Sequence, residues 1–341
     1  MARARITSSE VAKRAGVSQS AVSRVFSGAS ASKTTVQKVR EAASHLGYRP
    51  NVLARSLITG RSRIIGVVVA YLENQFYPDA LERLSTALQA LGYHILIFTA
   101  SDRGENVDGL IQELLDYQVD GIVTASVAMS DNLAARCETA GIPVVLFNRG
   151  QDDARLSEVT SDNIAGARKI ADFLIAGGHQ RIAHISGWQG SSTGRDRARG
   201  FRDGLGDAGT SLIAESDGKY QRDIAANAAI EMWKTHKPDA IFVGNDHMAF
   251  GVIDALRFDL GLDVPGDISI IGYDDVPMAA WPAYKLTTLR QPVGRMVDAT
   301  VEAVMARIES RNASPQKIRI DGPLVIRGSA RVPAQLTEGR E

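Results

Sequence analysis

Gln19, Ser20, Ser23 and Arg24 fall close together in the stretch ITSSEVAKRAGVSQSAVSRVFS, residues 6–27. Their amide, hydroxyl and guanidinium groups suit base edges and phosphates, not bond-making chemistry. The residues that could make or break bonds lack the required company. His45, His94, His179, His184, His236 and His247 are scattered, with no HExxH spacing. The glycine-rich turn SGWQGSSTG contains neither a dinucleotide fingerprint nor a P-loop. Serines near His184 form no nucleophile elbow, and Asp274 and Asp275 adjoin without further metal ligands in reach. Cys137 is the only cysteine, so no internal disulfide or multi-cysteine zinc site can form; packing on a helix is its expected role. No catalytic residue, metal or cofactor is therefore expected.

The polar quartet needs a rigid carrier, and the same stretch supplies one. Thr7 or Ser8 can cap a first helix, with Glu10 placed to complete a capping box, and Val11, Ala12 and Ala15 share a face. Gly16 can take positive φ and end it, after which Ser18 caps a second helix. There Val22, Val25 and Phe26 turn inward and leave the quartet outside. Thr34–Leu46 aligns Val36, Val39, Ala43 and Leu46 into a third helix stopped by Gly47. Pro50 disfavours its continuation. An ordinary helical hairpin would share much of this pattern, so the charge matters. Twelve basic residues lie at or before Arg63 against Glu10 and Glu41, a local charge of +10 in a chain of formal net charge +0. A basic head on an acidic body grips phosphate locally, and its binding weakens steeply with salt.

The remaining 278 residues alternate apolar strands with amphipathic helices, and the alternation starts again after Asp162. Two parallel sheets, each covered on both faces, are expected. Ligands of such sheets sit beyond the carboxyl ends of the strands, in the turns AYLENQFY, FNRG, SGWQGSSTGRDR, GNDH and GYDD. No run reaches the length of a membrane span, and MARARITSSE lacks the apolar centre of a secretory signal. A cytoplasmic location without membrane contact is expected. The tail after Pro333 carries no leucine heptads.

AKRAGVSQSAVSRVFS followed by YRPN, the segment NVLARSLITG, and GYDD followed by LTTLRQP resemble the lactose-repressor/galactose-repressor (LacI/GalR) family of bacterial transcription factors. The resemblance implies a small all-α helix-turn-helix headpiece plus an α/β body of two lobes with parallel sheets, like a periplasmic binding protein. It places the headpiece at 1–50, a hinge helix at 51–60 and the body at 61–341, with lobes of about 61–160 plus 290–320 and 161–289 plus 321–336. The partners it implies are a pseudo-palindromic double-stranded DNA operator, a second copy of the chain and a small sugar or sugar derivative. Thr7, Ser18, Gln19, Ser20, Ser23, Arg24, Asn51, Ala54 and Leu57 would meet DNA, Leu57 as a wedge in the minor groove. Phe76, Tyr77, Asn148, Thr193, Arg197, Tyr220, Asn245 and Asp274 would hold the effector. Asn148 stands where relatives often carry aspartate, so the effector's identity does not carry over. Arg149 and Arg195 raise the idea of an acidic sugar, though surface ion pairing would explain them too. A solute-binding protein shares the two-lobe body, but the basic head and the missing signal peptide disfavour it.

Overall fold

Residues 6–27, 30–49, 61–100, 107–310 and 312–334 are described by the computed structural model, in which residues 1–63 and 64–341 form two separate units. Asn51, Ala54 and Leu57, with the expected hinge helix, lie outside the described residues.

The first unit starts at a capped helix. In α1 (Ser8–Ala15) the Thr7 hydroxyl accepts from the Glu10 amide while the Glu10 carboxylate accepts from the Thr7 amide at 2.7 Å. Two amides that the first turn leaves without partners are satisfied together. These bonds also hold the Glu10 carboxyl below its ordinary pKa. Gly16 closes the helix at φ 67°, and the Ser18 hydroxyl then accepts from the Ala21 amide to start α2 (Gln19–Ser27). Ser32 caps α3 (Lys33–Leu46), which ends at Gly47. Val11, Val22 and Val39 are fully buried at the centre with four small alanines around them. Val25 and Phe26 are only half-buried, because a core this small cannot enclose a large ring; Phe26 instead leans on Tyr48, ring centres 5.7 Å apart.

The second unit holds two six-stranded sheets. The first contains β1 (Ile64–Val69), β2 (His94–Thr99), β3 (Gly121–Ala125), β4 (Val144–Phe147), β5 (Ser157–Ser161) and β11 (Lys317–Ile320), in the order β11-β5-β4-β3-β1-β2. The second contains β6 (Ile182–Ser186), β7 (Ala214–Asp217), β8 (Ala240–Val243), β9 (Ser269–Asp274), β10 (Thr287–Arg290) and β12 (Leu324–Val325), in the order β12-β10-β9-β8-β6-β7. All pairings are parallel except β10 with β12. The chain thus passes between sheets after Ser161, after Arg290 and after Ile320.

Two helices begin at strand ends and bring side chains to the same side of the sheets. α4 (Phe76–Ala90) starts just beyond β1, and α8 (Ser192–Asp207) just beyond β6. Between β5 and β6 runs α7 (Asn163–Ala176), against which α8 packs. A Cβ on Gly200 would stand 2.4 Å from the Ile164 carbonyl oxygen, so only glycine permits this approach. One turn earlier on α8, Arg197 is thereby held beside Asn163. A GLGDAG run at residues 204–209 has the letters of a dinucleotide fingerprint, but it straddles the end of α8 instead of opening a helix. No helix among the described residues is long and apolar enough to cross a membrane.

Candidate functional site

Strand ends from both sheets converge on one cavity of about 480 Å³ in the second unit. Ser126 follows β3, Asn148 and Arg149 follow β4, Asn245 follows β8, and Asp274 closes β9. Asn148 (φ 55°) and Asp274 (φ 128°) both leave the strand conformation, as strand ends aimed into a turn must.

The most buried part of the lining is ionic. Arg197 donates to the Gly244 carbonyl at 2.6 Å and to Asn163 Oδ1 at 2.8 Å, and its guanidinium lies 3.6 Å over the Tyr273 ring. Asp274 Oδ1 stands 3.5 Å from Arg197 Nη1. The carboxylate also accepts from Gln291 at 2.7 Å and from Asn74 at 3.1 Å. Burial pushes its pKa up, while Arg197 and these amides pull it back. Behind it, Asp246 accepts from Thr288 and from the Val276 amide, and burial together with the Asp274 charge holds it well above the usual carboxylate range. Two carboxylates so close in a desolvated place do not both ionise readily.

The rest of the lining combines neutral polar and aromatic groups with the charged Glu73, Arg149, Arg222 and Asp223. The Thr193 and Tyr220 hydroxyls are 3.0 Å apart, and Tyr220 meets Tyr71 edge-on. Asn148 donates to the Tyr77 hydroxyl at 3.2 Å. Asn245 spends its side-chain oxygen as the N-cap of α10 (Asp246–Asp254), which leaves its NH₂ for the cavity. Aromatic faces, hydroxyls, amides and one internal ion pair suit a compact molecule rich in hydroxyl groups.

Of the eight expected cavity residues, Tyr77, Asn148, Thr193, Arg197, Tyr220, Asn245 and Asp274 line it together. Phe76 does not. Its ring is buried one position behind, stacked on Phe147 and edge-on to Tyr77, where it backs the lining without facing it. Arg149 lines the cavity, whereas Arg195 is exposed and donates to the Gln189 carbonyl. Asp275 turns away to pair with Arg290 and Arg327. Sequence reasoning passed over Asn74, Gln291, Asn163, Ser126, Arg222 and His247. The first two lie within the segments AYLENQFY and LTTLRQP, yet only the fold shows them gripping Asp274.

In the first unit, Ser18, Gln19, Ser20, Ser23 and Arg24 are all exposed on or beside α2. Gln19 Nε2 donates to Ser8 Oγ at 2.9 Å, which ties the start of α2 to α1. The hydroxyl of Thr7 is engaged in its cap, and that of Ser18 in the cap and with Ser20.

Residues 7–51 match the model of the bacterial regulatory proteins, lacI family, and residues 171–330 that of a periplasmic binding protein-like domain. The HTH-type transcriptional regulator CelR of Thermobifida fusca is 31% identical over 339 residues, 96% of this chain and 99% of its own. The chain belongs to the LacI family. It is a DNA-binding transcription regulator with a helix-turn-helix head and a two-lobe body. Among solved LacI-family structures, the lac repressor dimer bound to operator and the anti-inducer ONPF superposes with a TM-score of 0.86 at 26% identity, over 96% of this chain and 99% of that one. A complex of the regulator CelR with cellobiose gives 0.71 at 29% identity, over 96% and 100%. The headpiece match decides against a transport solute-binding protein, which needs no such unit.

Proposed function

We propose that the protein is a homodimeric cytoplasmic repressor that binds a pseudo-palindromic operator and releases it when a sugar-like effector fills the cavity. The carrying observation is that cavity: an Arg197–Asp274 pair ringed by hydroxyl, amide and aromatic groups at the strand ends of two parallel sheets. The lac repressor dimer on its operator and CelR with cellobiose supply the partner classes by analogy. Two-fold symmetry in the protein asks for matching symmetry in the DNA.

In this reading residues 1–50 are the headpiece, 51–60 the hinge and 61–341 the body, with lobes near 61–160 plus 290–320 and 161–289 plus 321–336. Gln19, Ser20 and Arg24 read bases; Thr7, Ser18, Ser23 and Asn51 fix the head on phosphates, and Ala54 and Leu57 enter the minor groove. Tyr77, Asn148, Thr193, Arg197, Tyr220, Asn245 and Asp274 hold the effector, with Phe76 supporting from behind. Effector and operator then weaken each other's binding by the same factor.

Fluorescence anisotropy on an operator selected from random duplexes tests the proposal. The intact chain should bind a symmetric site, lose it when residues 1–63 are removed, and still melt higher with effector. Arg24→Ala should cost about 1–3 kcal/mol of discrimination between operator and random DNA. A uniform, salt-sensitive affinity for every duplex would defeat the proposal.

A further inference from the structure

We infer that the effector carries a carboxylate beside a hydroxyl, as aldonic and uronic acids do, and that Arg149 receives it. The inference rests on the reading of the cavity as an effector site. Three arginines line the cavity, and two are already neutralised: Arg197 by Asp274, and Arg222 by Asp254. Arg149 differs. It is only 5% exposed, its Nε has no hydrogen-bond partner, and among the described residues no carboxylate lies within ion-pair distance of it. The Trp188 ring, 5.8 Å from the guanidinium carbon, flanks the group without cancelling its charge.

Fixing a guanidinium in a desolvated place without a counter-charge is unfavourable. A neutral hydroxyl could accept one hydrogen bond there but would leave the charge. A carboxylate does both, accepting two parallel N–H groups and supplying the missing anion. The adjoining side chain adds a second constraint. Asn148 gives its NH₂ to Tyr77, and its Oδ1 is buried with no partner. An unfilled acceptor next to an unneutralised cation fits a hydroxyl next to a carboxylate. A sugar phosphate shares the anionic chemistry but fits less well, because the exposed Glu73 and Asp223 also line the cavity and would repel a dianion.

Isothermal calorimetry on the full-length protein tests this with D-gluconate and D-galacturonate, the parent sugars D-glucose and D-galactose, and D-glucose 6-phosphate, extended to further matched acid and neutral pairs. At least one acid should bind about tenfold or more tighter than its parent. Arg149→Gln should abolish that preference, and Arg149→Lys, which keeps the charge without the fork, should retain part of it. Ligand-free Arg149→Gln should melt no lower than the parent protein, since it loses an uncompensated charge. A clear fall in its melting temperature would make the arginine structural and overturn the inference. Tighter binding of neutral sugars would overturn it while leaving the sugar reading of the cavity intact. Preference for the phosphate would replace the carboxylate. Silence across the whole panel would remove the sugar reading as well.

Discussion

Arg197 and Asp274 face each other across 3.5 Å with 3% and 2% of their side chains exposed. Both are almost wholly withdrawn from solvent in that position, so each depends on the other and on the groups that share the load. Asn163, Gly244 and Tyr273 take up the guanidinium; Asn74 and Gln291 take up the carboxylate. Removing one partner strands the other. Arg197→Met should therefore destabilise the second unit by about 3–5 kcal/mol, read as a lower urea midpoint at neutral pH. An unchanged midpoint would mean that water reaches Asp274 and that the pair contributes little to the fold.

In the first unit, the bond from Gln19 to Ser8 holds in place an amide proposed to read a base. Ser8→Ala leaves the DNA-facing atoms untouched but frees the Gln19 side chain to rotate. Losing one such hydrogen bond costs about 0.5–1.5 kcal/mol, a several-fold loss of operator affinity in an anisotropy titration. Gln19→Ala should lose more. If Ser8→Ala binds operator as the parent does, the two helices orient Gln19 without that bond.

The Thr7 cap governs the same small unit. With only a handful of small buried side chains at its centre, the headpiece has little reserve, and an N-cap is worth about 1 kcal/mol. Thr7→Ala should speed amide hydrogen exchange in α1 about fivefold in the full-length protein and leave exchange in the sheets unchanged. Equal exchange in α1 would show that Glu10 secures the helix start alone.

These features differ in how far they can be read from the chain. The Thr7–Glu10 box and Gly16 were legible because capping is local: donor, acceptor and turn lie within a few residues. The sheets were legible from alternation, and the cavity's position from the rule that ligands sit at strand ends. Which neighbour faces the cavity was not. Phe76 and Tyr77 are consecutive at the start of α4, and nothing in their order says that the phenol looks in while the phenyl packs behind. Arg149 and Arg195 both fall in polar stretches that follow strands, yet one is buried at a strand end and the other exposed in the first turns of α8. Asn74 and Asp274 meet from 200 positions apart, a relation only tertiary structure creates.

The second sheet contains a proton-linked element of stability. His184 is fully buried, stacked on Phe242 with ring centres 4.6 Å apart, and Nδ1 donates to the Phe242 carbonyl. Burial lowers its pKa to about 4, and the carbonyl only partly offsets this. Between the unfolded value near 6.5 and about 4, the unfolded chain takes up a proton that the folded chain refuses. The stabilisation is thus present above pH 6.5 and is lost as the pH falls, by roughly 3 kcal/mol at pH 4. His179 and His247, also lowered by burial, act in the same direction. His184→Asn keeps a donor near the Nδ1 position but cannot titrate, so its stability should fall less between pH 6.5 and 4, whatever its starting value. Urea melts across that range would show equal slopes if His184 were accessible to protons in the folded state.

Gly187 offers a way to disturb the effector cavity without replacing any side chain that would touch the effector. A Cβ at this position would lie 2.1 Å from the Tyr220 ring, far inside contact distance. The ring has little room to retreat, because its hydroxyl is bonded to Thr193 and its edge lies against Tyr71. Gly187→Ala should therefore swing Tyr220 out of line and break the Thr193 bond. Effector affinity should drop about tenfold or more, the effect of losing an aromatic face and one hydrogen bond together. Operator affinity without effector should stay within about twofold, because the headpiece is a separate unit. Calorimetry and anisotropy on the same variant separate the two effects. Parallel losses of effector and operator binding would show that Gly187 supports the fold as a whole, and that Tyr220 is not the element it controls.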